Sequence, residues 1–307
     1  MISRPPADRL LVAVDVDGTL LDTEFEDRLR PREIAALDAV RAAGHLLALC
    51  TGRNSRSTAG LLERSAWQPS DLPLVLLNGA VVQGGVPVRR LSHHVLGATT
   101  VRRLLEIFHA QGAAAMVYDT EDMGGVVHHE RRAVNEVLGR YLEIRRRTVG
   151  YIREVDDLLA EAPDAALEVG TIDRREVIEP LTAAIRAELD GVVSVVNTRS
   201  LLGRGEYLWA EVYAAGCHKG AGVRLLARTH GIREDAIVAI GDNYNDLDLF
   251  AAARWSVAMA GAPADVRARA DRIAGRVQDG GAAEVLEEIA AGRYPPAGAT
   301  QRESERV

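Results

Sequence analysis

Asp15 and Asp17 stand one residue apart directly after Leu10-Leu11-Val12-Ala13-Val14, a run apolar enough for a strand buried on both faces. Two carboxylates at that junction cannot both turn into an apolar core. They point out of the strand end, where open α/β sheets bind ligands. A carboxylate pair there can bind a hard cation such as Mg²⁺, and one of the two is free to act as a nucleophile. The same Asp17-Gly18 step could also be no more than a hairpin turn.

A second chemical signal is a lone residue. Of the 37 basic residues, 36 are arginine and one is lysine, Lys219 in Cys217-His218-Lys219-Gly220. A chain that uses arginine for its surface charge has a place for a compact ammonium where guanidinium will not serve. Such a point charge suits a phosphate oxygen or a carboxylate in a tight site. Chance survival of one lysine in an arginine-biased composition is the alternative.

The elements that must position these groups alternate along the chain. Leu10–Val14 reads as a strand, Pro31–Ala43 as a helix, and Leu46–Cys50 as a strand ending at Thr51-Gly52-Arg53. Ser55–Ser65 reads as a helix, and Leu74–Leu77 as a strand ending at Asn78-Gly79-Ala80. Towards the far end, Ala221–Thr229 has helical spacing and Ala236–Ile240 is a strand ending at Gly241-Asp242-Asn243. Such alternation predicts an α/β fold with a doubly wound parallel sheet, one edge of which collects Asp15, Asp17, Thr51, Asn78 and Asp242. The middle carries helix patterns at Thr99–Gln111, Arg131–Tyr141, Val155–Ala162 and Arg174–Leu189. Strand-like segments lie at Ala114–Tyr118, Ala166–Ile172, Val192–Val196 and Tyr207–Val212. The predicted organisation is a core over 8–83 and 206–290, an inserted α/β module over 84–205, and a Pro/Gly-rich, charged, disordered tail over 291–307.

A chain of 307 residues with 47% hydrophobic and 26% charged residues is ordinary for a soluble globular protein. Its net charge of −7 argues against a nucleic-acid partner. Cys50 and Cys217 are far apart, without metal-ligand spacing, and are expected to be reduced thiols. No signal-peptide pattern opens the chain and no apolar run approaches a membrane span, so a cytoplasmic monomer or homodimer without a membrane partner is expected.

Asp15-Val16-Asp17-Gly18-Thr19, Thr51-Gly52-Arg53, Asn78-Gly79-Ala80, Lys219-Gly220 and Gly241-Asp242-Asn243-Tyr244-Asn245-Asp246 follow one another in that order. Together they resemble the haloacid dehalogenase superfamily of phosphohydrolases, specifically the Cof-type subfamily IIB with a large C2B cap inserted between the second and third motifs. The resemblance implies a Rossmann-like core and a Mg²⁺-dependent phosphoric monoester hydrolase acting on a small phosphorylated metabolite, a sugar phosphate or a phosphorylated cofactor. It implies Asp15 as the nucleophile that forms an aspartyl-phosphate, Asp17 as acid and then base, and Lys219 as the charge that offsets nucleophile and phosphate. Thr51, by hydroxyl and backbone N–H, and Gly52 would hold phosphoryl oxygens. Mg²⁺ would lie between Asp15, the backbone carbonyl of Asp17 and Asp242, with Asn245 and Asp246 orienting ligands or the lysine. Asn78 and Arg53 would meet the substrate, although Asn78-Gly79 could be only a turn and Arg53 a solvated helix-start residue. Phosphotransfer to a second substrate, as in a phosphomutase, or a non-catalytic binding protein on the same scaffold are the competing readings.

Several tempting features are set aside. His218 reads as a structural histidine beside the lysine. The neighbours in His93-His94 and in His128-His129 face opposite ways on a strand and suit no common metal. Gly220-Ala221-Gly222 has Leu225 where a dinucleotide fingerprint needs a third glycine, and no buried strand ends just before it.

Overall fold

A computed structural model describes residues 9–23, 25–120, 125–131, 134–148, 151–200, 202 and 206–294. The chain opens with β1 (Leu11–Val14), α1 (Pro31–Ala42), β2 (Leu46–Cys50), α2 (Ser55–Arg64), β3 (Leu74–Leu76), β4 (Val81–Gly84) and β5 (Arg89–His93). It continues with β6 (Leu96–Gly97), α3 (Ala98–Ala110), β7 (Met116–Asp119), β8 (Val127–Glu130), α4 (Glu136–Thr148), β9 (Ile152–Val155) and α5 (Leu158–Glu161). β10 (Ala165–Arg174), α6 (Arg175–Leu189), β11 (Val193–Arg199) and β12 (Tyr207–Ala214) follow. The last part is α7 (Lys219–Thr229), β13 (Ile237–Gly241), α8 (Leu247–Ala252), β14 (Trp255–Ala258), α9 (Ala264–Arg267), β15 (Arg272–Ile273) and α10 (Gly281–Ala290).

The strands form two sheets, an eight-stranded one in the order β15-β14-β13-β1-β2-β3-β4-β5 and a seven-stranded one built on β11-β12-β10-β7-β8-β9 with β6 beside β10. In the first, β15 through β3 are parallel, and at one edge β4 runs against them and pairs antiparallel with β5. Alternate residues of each parallel strand feed opposite cores, as a period of two requires. Val12, Val14, Leu47, Leu49 and Ile240 pack with Leu37 and Val40 of α1 and Leu286 and Ile289 of α10. Leu11, Ala13, Ala48 and Ala239 pack with Val223 and Leu226 of α7 and Leu249 and Phe250 of α8. Helices on both faces explain why these strands read as unbroken apolar runs. Val14 pairs in register with both Ile240 and Leu49, so Asp15 stands level with Gly241 and Cys50, and Asp242 and Thr51 follow one residue beyond.

The second sheet is mostly antiparallel. One face carries Val117, Val169, Ala210 and Val212 against α3 and α6. The other presents Met116, Tyr118 and Tyr213 to α4, to Leu76 and Val81 of the first sheet and to Leu77 in the turn between them.

Sheet membership differs from the boundaries expected at 84 and 205. Arg89–His93 extends the first sheet and Tyr207–Ala214 is a central strand of the second, so the crossings fall near 94–96 and 215–218. Edge strand β5, largely exposed, lacks the apolar signal that marked the others. The helix expected at Arg131–Tyr141 begins instead at Glu136, where the Asn135 side chain accepts the Leu138 N–H, and runs on to Thr148. The helix expected at Val155–Ala162 shrinks to Leu158–Glu161, capped by Asp157, because Val155 ends a strand paired with β8. The tail expected from 291 holds Tyr294, 7% exposed and edge-on to Trp255; residues 295–307 lie outside the described residues. Cys50 and Cys217 are free and buried. Among the described residues no helix is long and apolar enough to cross a membrane.

Candidate active site

Lys219 occupies the first turn of α7 with its side chain fully buried. Its Nζ donates to Asp15 Oδ1 at 2.6 Å and to Asp246 Oδ1 at 2.7 Å. Burial by itself would lower the ammonium's pKa, but the two carboxylates outweigh it and hold Lys219 well above the ordinary lysine range. Lys219 is therefore a buried, doubly paired cation.

Asp15, Asp242 and Asp246 bring carboxylate oxygens within 4.8 Å of one another. Asp246 is the best anchored. Its Oδ2 accepts the backbone N–H of Asp242 at 2.9 Å and of Asn243 at 3.0 Å. Thr19 donates its hydroxyl to Asp242 Oδ1 at 3.1 Å. Gly18, at φ 83°, has no Cβ to collide with Asp242; an added one would lie 2.2 Å from Oδ2. Three carboxylates against one ammonium leave two negative charges without a partner. Burial first, then the charges of its neighbours, push Asp242 well above the usual carboxylate range, and Asp15 is pushed up to about 7, although Lys219 pulls it down. All-oxygen donors with a surplus of two charges fit a hard divalent cation.

Asp17 turns elsewhere. Arg53 donates Nε to its Oδ2 at 2.8 Å and Nη2 to its Oδ1 at 2.6 Å, and the Thr23 hydroxyl donates to Oδ1 at 2.6 Å. Burial opposes the shift, yet the guanidinium and these hydrogen bonds hold Asp17 below the usual carboxylate range. Arg53 is therefore neither a solvated helix-start residue nor free for a substrate here; it is bonded to an acid of the site. Thr51 is fully buried, and its N–H is engaged by Val75 O at 2.8 Å, contrary to the expected role for that N–H. Its Oγ1 accepts the Arg53 N–H at 3.0 Å, leaving the hydroxyl proton to donate.

Asn78 is both turn and contact. Leu77, Asn78 and Gly79 all have positive φ (47°, 50° and 103°). Bonds from Leu77 N–H to Arg53 O and from Asn78 N–H to Thr51 O hold this sharp exit from β3. Gly79 is required, since a Cβ there would lie 2.4 Å from His218 O. The Asn78 amide donates to Tyr213 Oη at 3.0 Å and to Glu211 Oε2 at 3.4 Å, and its oxygen accepts from Asn245 Nδ2 at 2.8 Å. Asn245 thus orients Asn78, whereas Asp246 holds the lysine. His218 caps α7 by accepting the Ala221 N–H, a structural role. Gly220 and Gly222 are packing glycines: a Cβ would meet Asp248 O at 2.2 Å and Val75 at 2.6 Å.

These groups line a cleft of about 750 Å³ between the two sheets, with Asp15, Asp17, Gly52, Arg53, Asp242 and Asn245 on one side. Tyr118, Tyr141, Arg145, Glu168, Trp209 and Glu211 line the other. Sequence reasoning assigned nothing to Thr19, Thr23, Glu168, Glu211, Tyr213 or Arg145. Thr19 was within reach, since it completes the run that begins at Asp15; the cap residues carried no local signal.

Comparison with known proteins places this geometry. A family model described as haloacid dehalogenase-like hydrolase matches residues 12–286. The putative phosphatase YxeH of Bacillus subtilis is 27% identical over 83% of this chain and 89% of its own length. The 5-amino-6-(5-phospho-D-ribitylamino)uracil phosphatase YitU, also of B. subtilis, is 25% identical over 91% of this chain and 96% of its own length. The solved structure of the subclass IIB sugar phosphatase BT4131 superposes with a TM-score of 0.72 at 21% identity, covering 91% of this chain and 98% of that one, a likeness of fold.

Proposed function

This chain belongs to the haloacid dehalogenase-like hydrolases, in the Cof-type subfamily, and is a phosphoric monoester hydrolase; from that premise we propose that it is a Mg²⁺-dependent phosphatase working through an aspartyl-phosphate on Asp15. The observation that carries this reading is the buried ammonium of Lys219 bonded to Asp15 and Asp246 with Asp242 alongside.

A phosphate monoester is a dianion, so a carboxylate nucleophile meets repulsion unless fixed positive charge and donors stand ready. Lys219 offsets the charge on Asp15 and keeps its carboxylate pointed at the phosphorus. An oxygen of Asp15 attacks, the bond from phosphorus to the leaving oxygen breaks, and Asp17 gives that oxygen its proton. Asp17 then takes a proton from water, which attacks the aspartyl-phosphate and releases phosphate. The Thr51 hydroxyl and the Gly52 N–H hold phosphoryl oxygens. Asp15, Asp242 and the carbonyl of Asp17 would hold Mg²⁺, which supplies charge neutralisation at the phosphoryl group.

Arg53 gives Asp17 a condition. While the guanidinium holds both carboxylate oxygens, Asp17 is a poor acid. An incoming phosphate dianion offers Arg53 a competing partner, so substrate arrival frees Asp17 to take up the proton it delivers.

The name of the relative YitU specifies a phosphorylated ribityl compound, which supports a sugar or polyol phosphate as substrate here. Turnover of p-nitrophenyl phosphate with Mg²⁺, its loss in EDTA and its return with added Mg²⁺ test the metal assignment. Acid quenching of Asp17→Asn incubated with p-nitrophenyl phosphate, whose leaving phenolate needs no acid, is expected to trap phosphate on the protein as an alkali-labile adduct. Full activity in excess EDTA, or no trapped phosphate with Asp17→Asn, overturns the mechanism.

A further inference from the structure

Asn245 keeps a bare oxygen. Its side-chain Oδ1 is buried and has no hydrogen-bond partner among the described residues, although the same amide gives its Nδ2 to Asn78 Oδ1 at 2.8 Å. A buried acceptor of this kind is costly unless something that enters the site meets it.

Which end of the Asn245 amide is left bare is decided from the second sheet. Tyr213 Oη lies 3.0 Å from Glu168 Oε2 and 3.1 Å from Glu211 Oε1, so its one proton is committed to the carboxyls. Towards Asn78 the phenol oxygen then accepts, from Nδ2 at 3.0 Å, and Glu211 Oε2 accepts from the same nitrogen at 3.4 Å. An amide nitrogen only donates and an amide oxygen only accepts. With Nδ2 turned to the second sheet, Asn78 offers Oδ1 to Asn245. Asn245 must answer with its own Nδ2, and its Oδ1 is what remains. The chain Tyr213–Asn78–Asn245 thus has a direction, and the direction is set on β12.

Each link is held. Tyr213 is fully buried, and Asn78 is 1% exposed in the positive-φ turn after β3. The carboxyls that take the phenol proton are anchored too, Glu168 by the charge of Arg145 and Glu211 by a hydrogen bond from Thr198. A second contact joins the turn over 242–246 to the second sheet: the Arg199 N–H, at the end of β11, donates to Asn243 Oδ1 at 3.4 Å.

The other end of the chain meets the carboxylates. Asn245 stands between Asp242 and Asp246 in sequence and lines the cleft with Asp15, Asp17 and Asp242. Mg²⁺ gives up its water reluctantly, so an ion held by a few protein oxygens keeps several waters. Those waters present protons and need acceptors. A bare amide oxygen in the turn that supplies Asp242 is one.

Resting on the Mg²⁺-dependent reading, we propose that Tyr213 is a positioning residue for the metal site: through Asn78 it fixes the Asn245 amide so that Oδ1 serves as an acceptor for the water shell of Mg²⁺. Metal affinity is then coupled to a residue of the second sheet that is itself fully buried. Were the chain reversed, Asn245 would offer N–H donors to waters that offer only protons. Loss of direction therefore weakens metal binding, as loss of other groups that orient a metal's ligands does.

The test is Mg²⁺ binding by the full chain without substrate, read by isothermal titration calorimetry. Asn78→Gly keeps the positive-φ turn and removes the amide; it is expected to raise the Kd for Mg²⁺ about tenfold. Tyr213→Phe keeps the ring and removes the phenol; at least about a threefold rise is expected, smaller because Glu211 still holds the Asn78 amide. In an Asn245→Leu background, Tyr213→Phe should add nothing, since the oxygen it positions is gone. Tyr141→Phe removes another phenol of the cleft, one bonded to Tyr118 and Arg145 instead, and should leave Kd unchanged. No Mg²⁺ binding by the wild type would overturn the metal reading itself. Binding that Asn78→Gly and Tyr213→Phe leave unchanged, equal weakening by Tyr141→Phe, or a Tyr213→Phe effect that persists with Asn245→Leu overturns the positioning chain alone. If one of the two variants fails to fold, the other decides, because both cut the chain before Asn245.

Discussion

At the ends of β1 and β13 the cleft is walled by charge: Asp15, Asp242 and Asp246 around a lysine whose side chain is fully buried. Across from it, β10 and β12 present Glu168 and Glu211 around a tyrosine and an asparagine amide. The first wall is pinned by the backbone. Asp15 leaves a strand in register with its neighbours, and Asp246 is tied to two N–H groups of its own turn. The second is pinned by side chains that meet across the join between the sheets, Asn78 against Tyr213 and Glu211. A wall fixed by its own backbone and by opposite charges suits chemistry common to all substrates. A wall fixed by side chains can be rebuilt without touching the strand ends, which suits choice among substrates.

The largest effect should come from breaking the charged wall at its nucleophile. Asp15→Asn is expected to lower kcat by on the order of 10³-fold or more with every phosphate ester alike, while circular dichroism and melting show an intact fold. Near-wild-type kcat would remove Asp15 from the mechanism. Lys219→Arg comes next. It keeps the charge but forces a wider, planar group into a closed space, and kcat is expected to fall by at least about 10²-fold. Because Lys219 is buried between two carboxylates, its Tm should fall as well. Overpacking costs about 1–3 kcal/mol, or several degrees for a chain of this size. Unchanged kcat and Tm would mean that the lone lysine is an accident of composition.

Arg53→Met tests the hinge between the two walls. Without the guanidinium, the Asp17 pKa should rise, moving the alkaline limb of the kcat/KM profile, where Asp17 as acid loses its proton, to higher pH. The sign for stability is opposite in use. Asp17, depressed in the fold, stabilises above its unfolded pKa of about 3.9 and loses that contribution as pH falls through its folded value. Arg53→Met should therefore flatten the acid side of the Tm curve, and a profile identical to wild type would show that the pair has no influence.

The smallest effect belongs to the side-chain wall. Glu211, raised to about 7, favours the fold while protonated, so its contribution is present below its unfolded pKa of about 4.3 and is lost as pH rises through 7. Tm measured from pH 5.5 to 8.5 should fall in wild type and fall less in Glu211→Gln, by about 2–4 °C. Asp15 behaves likewise but answers to Mg²⁺, so saturating Mg²⁺ should remove its share of the slope and leave that of Glu211. If Mg²⁺ abolishes the whole slope, the two walls are not electrostatically separate.

The charged wall was legible because each member sits at a local signal: a carboxylate after an apolar run, or a lone lysine before a helical pattern. Asp15, Lys219, Asp242 and Asp246 could be drawn to one edge by the rule that parallel strands end together. Even there the burial of Lys219 escaped the sequence, since it depends on α7 packing on the sheet face with its first turn against Asp15 and Asp246. Arg53 likewise could be tied to Thr51-Gly52 but not to Asp17, a residue 36 positions away.

Sequence by itself determined the doubly wound sheet and the strand-end edge that collects Asp15 and Asp242. Apolar period and strand-end polarity are properties of short segments, and short segments set their own strands and helices. Only the tertiary structure decided that β5 belongs to the first sheet and β12 to the second, and that Asn78 reaches Tyr213 across 135 positions. It also decided that Glu168 and Glu211 stand over one phenolic proton. Those outcomes rest on pairing between remote strands and on a glycine that leaves room for a carboxyl, and neither is encoded in the pattern of any one segment.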